Sequence, residues 1–148
     1  MNLPAASRSL VNKPHEMAAE TDRMKILAAC TAAENFTKLY YEFVDKMRHK
    51  LSKLYLEDGK LVWNGTAVDG NVNIQKFYED LPTSFHIITC LDSQPVREEA
   101  VGEQSTIQVT TSGFVTFKEH KHLFNQSFLI TAKEDKWKVV SDVFRFQQ

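Results

Sequence analysis

Tyr40, Tyr41, Asp92 and Asp142 are the residues of this chain whose types could carry proton-transfer chemistry. A carboxylate held beside tyrosines in a dry pocket can act as a general base, and a cone-shaped α+β fold can house such a pocket. Each also has an ordinary use. Helix tyrosines commonly hydrogen-bond at the edge of a core. Asp92 precedes Ser93-Gln94-Pro95, a natural turn in which it would cap the local backbone. His120 and His122 flank Lys121 in a tight turn, with Glu119 as the only other near ligand. That is short of a metal set, and a solvated loop is expected. The chain has no Gly-rich phosphate loop, no Gly-x-Ser-x-Gly elbow and no His-Glu-x-x-His pair. These residues speak against an enzyme, and neither cofactor nor metal is expected.

Arg145 offers a different chemistry. In the stretch Trp137-Lys138-Val139-Val140-Ser141-Asp142-Val143-Phe144-Arg145-Phe146, period-2 alternation puts Trp137, Val139, Ser141, Val143 and Arg145 on one side of a strand. Val140, Phe144 and Phe146 take the other side, with Asp142 among them. A solvated face usually carries several charges, whereas this one carries a single arginine. Guanidinium suits a planar, bidentate pair with a carboxylate at an interface. The pattern predicts a sheet buried twice, by its own core and by another protein.

The elements that must position these groups follow from local pattern. Residues 1–20 are polar, interrupted by proline and without periodicity, which predicts a flexible tail before a domain at 21–148. A helix is expected over 21–47, with its stripe on Ala29, Ala32, Phe36, Leu39, Phe43 and Met47, widened by Ala33, Tyr40 and Val44. The basic run Lys46, Arg48, His49, Lys50 and Lys53 suits the end of that helix. A short helical piece over 49–55 comes next. Leu61-Val62-Trp63 and Thr66-Ala67-Val68 flank Asn64-Gly65, a hairpin turn that needs positive φ at both central residues. Ile74, Phe77, Tyr78 and Leu81 mark a further helix stopped by Pro82. Four strands are expected over 85–94, 105–117, 123–132 and 137–146, antiparallel because their connections are short. Gly113 within the second predicts a bulge and a bend. The fold class is therefore α+β, a strongly bent antiparallel sheet wrapped as a cone over N-terminal helices.

Composition narrows the partners. With 148 residues, 43% hydrophobic, 25% charged and a net charge of −1, the chain fits one domain and lacks the basic surplus that bulk nucleic-acid binding needs. No apolar run approaches a membrane span, and Pro4, Arg8, Asn12, Lys13 and Pro14 interrupt any signal-peptide core. Cys30 and Cys90 make no metal or redox motif; buried free thiols and an intracellular location are expected.

Several pieces carry a resemblance in order and spacing. They are Leu54-Tyr55, Leu61-x-Trp63-Asn64-Gly65, Leu81-Pro82-x-Ser84, Leu91-Asp92-x-Gln94-Pro95-Val96, Phe124-x-Gln126-x-Phe128 and Ser141-Asp142-x-Phe144-Arg145-Phe146. Over about 25–146 the chain resembles the nuclear transport factor 2-related export proteins, small partners of the TAP-type nuclear export receptor for mRNA. The resemblance implies a nuclear transport factor 2-like cone, no enzymatic activity, and a heterodimer in which two such sheets pack face to face. It implies partner contacts from Thr110, Ser127, Val143 and Arg145, with Gln108, Asn125, Leu129 and Ser141 beside them by strand parity. Arg145 resembles the family arginine that pairs with an acidic residue of the receptor. The complex would meet phenylalanine-glycine repeats of the nuclear pore and shuttle between nucleus and cytoplasm. RNA would be held by the receptor.

Nuclear transport factor 2 itself carries GDP-bound Ran and has an acidic pocket rim before the Phe-x-Gln-x-Phe strand. Here that stretch is Lys118-Glu119-His120-Lys121-His122, mostly basic, so Ran binding is not expected. The alternatives are a homodimeric Ran·GDP carrier and a cone-fold enzyme or small-ligand binder using Tyr40 and Asp92. The N-terminal lead exceeds the family's short one; initiation at Met17 or Met24 would remove most of it.

Overall fold

The computed structural model describes residues 14–96 and 105–147, with side chains from residue 19 onward. Helix α1 (Pro14–Lys46) is followed by a 3-10 helix (Arg48–Leu54), β1 (Tyr55–Trp63), β2 (Thr66–Asp69), α2 (Asn71–Asp80), β3 (Ser84–Pro95), β4 (Thr106–Phe117), β5 (His120–Lys133) and β6 (Lys136–Gln147). The strands form one curved, unclosed sheet in the order β2-β1-β6-β5-β4-β3. The helices pack against its concave side, as the predicted cone requires.

Helix α1 starts earlier than its apolar periodicity predicts. Ala18, Ala19, Glu20, Met24 and Ala28 are strong helix formers, and proline is tolerated in a first turn, where its missing N–H has no intrahelical partner. Residues 19–28 of the helix are solvated: Met24 and Leu27 are each 67% exposed. Residues 1–13 of the expected tail lie outside the described residues. The buried stripe is Ala29, Ala33, Phe36, Tyr40 and Val44, with Tyr41 beside it. Leu39, expected on the stripe, is exposed, and Ala32 and Phe43 lie at its margin. The larger aromatic residues rotate the helix toward the sheet side they can fill.

Arg48 ends α1 and fixes α2 to it. Its guanidinium donates to the carbonyls of Val44 (2.8 Å), Tyr78 (2.6 Å), Leu81 (2.6 Å) and Pro82 (2.7 Å). Two helix C-termini thus share one cation. Asp45 ties α1 to β3 by accepting from the Ser84 hydroxyl (2.7 Å) and the His86 backbone N–H (2.9 Å).

The Asn64-Gly65 turn has the positive φ values its sequence predicts, 47° and 87°. Strand β1 is longer than expected, and it pairs parallel with β6 in an otherwise antiparallel sheet. Register shifts occur at three places, in β1 between Tyr55 and Lys60 and at one bulge each in β3 and β6, and the last two alter the strand faces. Ile88 pairs with Gly113 and Cys90 with Ser112, which leaves Thr89 extra in β3. The bulge lies across from Gly113: a Cβ there would sit 2.0 Å from the Ile87 carbonyl oxygen. In β6, Leu129 pairs with Ser141 and Ile130 with Val139, leaving Val140 extra. This turns Trp137 and Val139 toward the core, against the uninterrupted alternation predicted for β6.

Candidate functional site

The interior gathers three of the four proton-transfer candidates. Asp142, 1% exposed, accepts from Tyr55 Oη (2.5 Å), Tyr40 Oη (2.9 Å) and Gln126 Nε2 (2.8 Å). Tyr78 Oη is 3.0 Å from Tyr40 Oη. Tyr41 donates to Gln126 Oε1 (2.7 Å) and is 2.6 Å from Thr111 Oγ1. The network joins α1, β1, α2, β4, β5 and β6 at one point. Burial pushes the Tyr40, Tyr41 and Tyr55 hydroxyls well above their ordinary pKa of 10. Burial also raises Asp142 from 3.8 to about 6, while its three donors pull the other way.

A carboxyl poised near neutral could serve as a base if a substrate reached it. The packing closes it off. Phe36 and Phe128 flank Tyr40, with ring centroids 5.9 and 4.7 Å away. Trp63 stacks on Phe144 at 5.3 Å and meets Phe77, Phe117 and Phe146 edge-on. A surface cleft of about 570 Å³ between the 3-10 helix, β1 and the β5–β6 turn is lined by Lys53, Tyr55, Glu57, Asn71 and Lys138 among others; it touches the network at Tyr55, itself only 2% exposed, and does not reach Asp142, Tyr40 or Gln126. Among the described residues no buried side-chain polar atom lacks a partner. The network has the form of a structural brace.

Asp92 is not part of it. It lies within β3, opposite Thr110, rather than in a turn, and it is exposed on the other side of the sheet. His122 stacks on Phe146 (4.2 Å, 5° between planes), whereas His120 is exposed beside the Lys118–Glu119 turn. Cys90 is exposed and Cys30 half-buried, against the buried thiols expected.

The convex face of the sheet gathers the other set. Register aligns Gln108 with Leu129 and Ser141, Thr110 with Ser127 and Val143, and Asn125 with Arg145. All eight residues expected there share this face. Thr110, Asn125, Val143 and Arg145 are exposed; Gln108, Ser127, Leu129 and Ser141 are half-buried. Gln108 Nε2 donates to Ser127 Oγ at 2.5 Å, which fixes two polar side chains flat on the sheet. Among the described residues Arg145 has neither an ion pair nor a side-chain hydrogen bond.

Parity reading missed part of this face. Phe85 (60% exposed) and Ile87 (46%) share it with Cys90, Asp92 and Gln94, although strict alternation would separate the two groups. Phe114 and Leu123 extend the apolar end. Gly113 was the available signal, because it allows the bulge at Thr89 that changes parity.

A helix-backed cone with a sealed interior and an open convex sheet defines a nuclear transport factor 2-like α+β domain. The chain belongs to that family: the family model described as nuclear transport factor 2 (NTF2) domain matches residues 32–146. It is 48% identical to the NTF2-related export protein 2 of Homo sapiens over 124 residues, spanning 80% of this chain and 87% of that protein. The fold is shared with nuclear transport factor 2 from Cryptosporidium parvum (TM-score 0.69, 23% identity, 79% of this chain and 93% of that one). It is also shared with the Candida albicans Mtr2–Mex67 M domain complex (TM-score 0.64, 15% identity, 77% and 93%).

Proposed function

We propose that this chain is a non-enzymatic partner in nuclear mRNA export that docks its convex sheet face on the cone domain of a TAP-type receptor. The observation that carries this reading is Arg145, exposed and unpaired among the described residues, amid the eight-residue face described above. A guanidinium in such a place suits a partner carboxylate. The export-protein relative and the fold shared with a complex named for Mtr2 and Mex67 support the same reading.

Docking covers a sheet that each isolated cone would expose, so each partner stabilises the other. The heterodimer presents the surface that meets phenylalanine-glycine repeats, RNA stays with the receptor, and the chain shuttles through the pore with it. The mostly basic stretch Lys118–His122, the β4–β5 turn and the start of β5, disfavours a Ran-carrier role, and the closed Asp142 network disfavours a catalytic one.

Light scattering after size-exclusion chromatography, on the chain alone and with the receptor's cone domain, tests the reading. A 1:1 heterodimer at low micromolar concentration is expected. Arg145→Glu leaves the fold intact and strands a partner carboxylate, costing roughly 2–5 kcal/mol, or at least a 30-fold loss. A homodimer indifferent to the receptor, or unchanged binding by Arg145→Glu, refutes it.

A further inference from the structure

Asp92 is a charge on the convex face that the functional reading does not use. Across β3 to β6 the rows run Ile87–Phe114–Leu123–Gln147, then Cys90–Ser112–Asn125–Arg145, then Asp92–Thr110–Ser127–Val143, then Gln94–Gln108–Leu129–Ser141. Beyond Ile87 lies Phe85–Thr116–Lys121. Among the described residues of these four strands three side chains in this field carry full charges, Lys121, Arg145 and Asp92; beyond β6, Lys60 lies opposite Ser141 and is already paired with Asp69 at 3.5 Å. Lys121 Nζ sits 4.3 Å over the Phe114 ring at the far end. Asp92 has no ion pair or side-chain hydrogen bond among the described residues. Arg145 is three strands across and one row away, roughly 16 Å at ordinary sheet spacings, too far to neutralise it.

A carboxylate covered by a docking protein is costly unless the partner supplies a cation or donors. Strand β3 is the sheet's edge, where a charge can also simply deter strand pairing. Yet the same face of β3 bears Phe85 and Ile87, both well exposed, and Asp92 adjoins Thr110 of the docking face without a break. The edge therefore continues the interface.

We propose that Asp92 and Arg145 form a two-point charge code that orients the partner sheet, an inference that rests on the docking function proposed above. The partner fits if its face carries a carboxylate opposite Arg145, a lysine or arginine opposite Asp92 roughly 16 Å away, and apolar side chains over Phe85, Ile87 and Leu123. The acid near one edge and the base near β6 make the face polar along its width. A partner sheet docked the wrong way round meets like charges at both points.

Titration calorimetry of the receptor's cone domain against wild type, Asp92→Asn, Asp92→Lys and Arg145→Glu tests this. Asp92 is exposed in the free chain, so an unaltered circular dichroism melt is expected and separates folding from binding. Asp92→Asn should weaken binding several-fold and flatten its salt dependence; Asp92→Lys should weaken it at least tenfold. Binding by Asp92→Lys within twofold of wild type overturns the code while leaving the Arg145 reading intact. Failure of wild type to bind overturns both. The doubly reversed Asp92→Lys/Arg145→Glu chain distinguishes the remaining occupant. If it and the wild type both self-associate while each single variant stays monomeric, the face pairs with a second copy, and the heteropartner is refuted.

Discussion

Replacing Asp142 by asparagine should remove a large part of this protein's pH-dependent stability. The folded carboxyl is raised to about 6 from an ordinary 3.8, chiefly by burial. Its bonded neighbours Tyr40, Tyr55 and Gln126 donate hydrogen bonds but bring no positive charge. The native state therefore holds the Asp142 proton more tightly than the unfolded chain does. The stabilising contribution is complete below pH 3.8 and is lost as pH rises through about 6. At roughly 1.4 kcal/mol per pKa unit the full loss is about 3 kcal/mol, of which about 2 falls between pH 4 and pH 7. Asparagine cannot ionise. Its Oδ1 can keep the two tyrosine donors, but its Nδ2 would face Gln126 Nε2. The Gln126 amide must turn over, and Tyr41 then accepts from it and donates to Thr111, 2.6 Å away. That rearrangement costs the same at every pH. Urea unfolding of wild type and variant at pH 4.0, 5.5 and 7.0 isolates the Asp142 contribution, because the other titrating groups are common to both. The wild-type advantage over Asp142→Asn should shrink by about 2 kcal/mol from pH 4 to pH 7. A difference that stays constant with pH, or grows, would refute the burial argument.

Two further substitutions probe the frame around both sites. Gly113→Ala places a methyl 2.0 Å from the Ile87 carbonyl oxygen, so the β3 backbone must retreat at its bulge. A loss of roughly 3 kcal/mol is expected from urea midpoints at unchanged slope, and an unchanged midpoint would mean that β3 shifts freely. Arg48→Ala leaves four carbonyls at the ends of α1 and α2 without their shared donor. About 2 kcal/mol should be lost, allowing for the partial exposure of the group. Arg48→Lys should not restore it, since an ammonium cannot span the same fork, and full rescue would show that charge alone mattered.

The face reading held where alternation is locally unbroken. In β4, β5 and the last residues of β6, side chains that alternate in sequence also alternate in space, so Thr110, Ser127, Val143 and Arg145, which the family resemblance implies, and Asn125, which strand parity adds, lie together on one face. It failed beyond each bulge. Thr89 and Val140 are extra residues only relative to a neighbouring strand, and nothing within β3 or β6 alone distinguishes them from ordinary strand positions. The bulge at Val140 is why Trp137 and Val139 face the core instead of sharing the side of Arg145; Asp92 departs from expectation for another reason, since Ser93-Gln94-Pro95 continues β3 instead of turning.

The amino-acid sequence by itself determined the local pieces: the helix with its aromatic stripe, the Asn64-Gly65 hairpin, the long terminal strands and the unusual arginine among uncharged neighbours. These depend on backbone preferences and side-chain periods that act over a few residues. Tertiary structure alone decided what meets across distance. The parallel pairing of β1 with β6 brings Tyr55 beside Asp142, which is 87 positions away in the chain. Tyr40 reaches the same carboxylate across 102 positions. Such contacts exist only once register and bulges are set, because the free energy that selects them comes from packing the whole sheet against the helices.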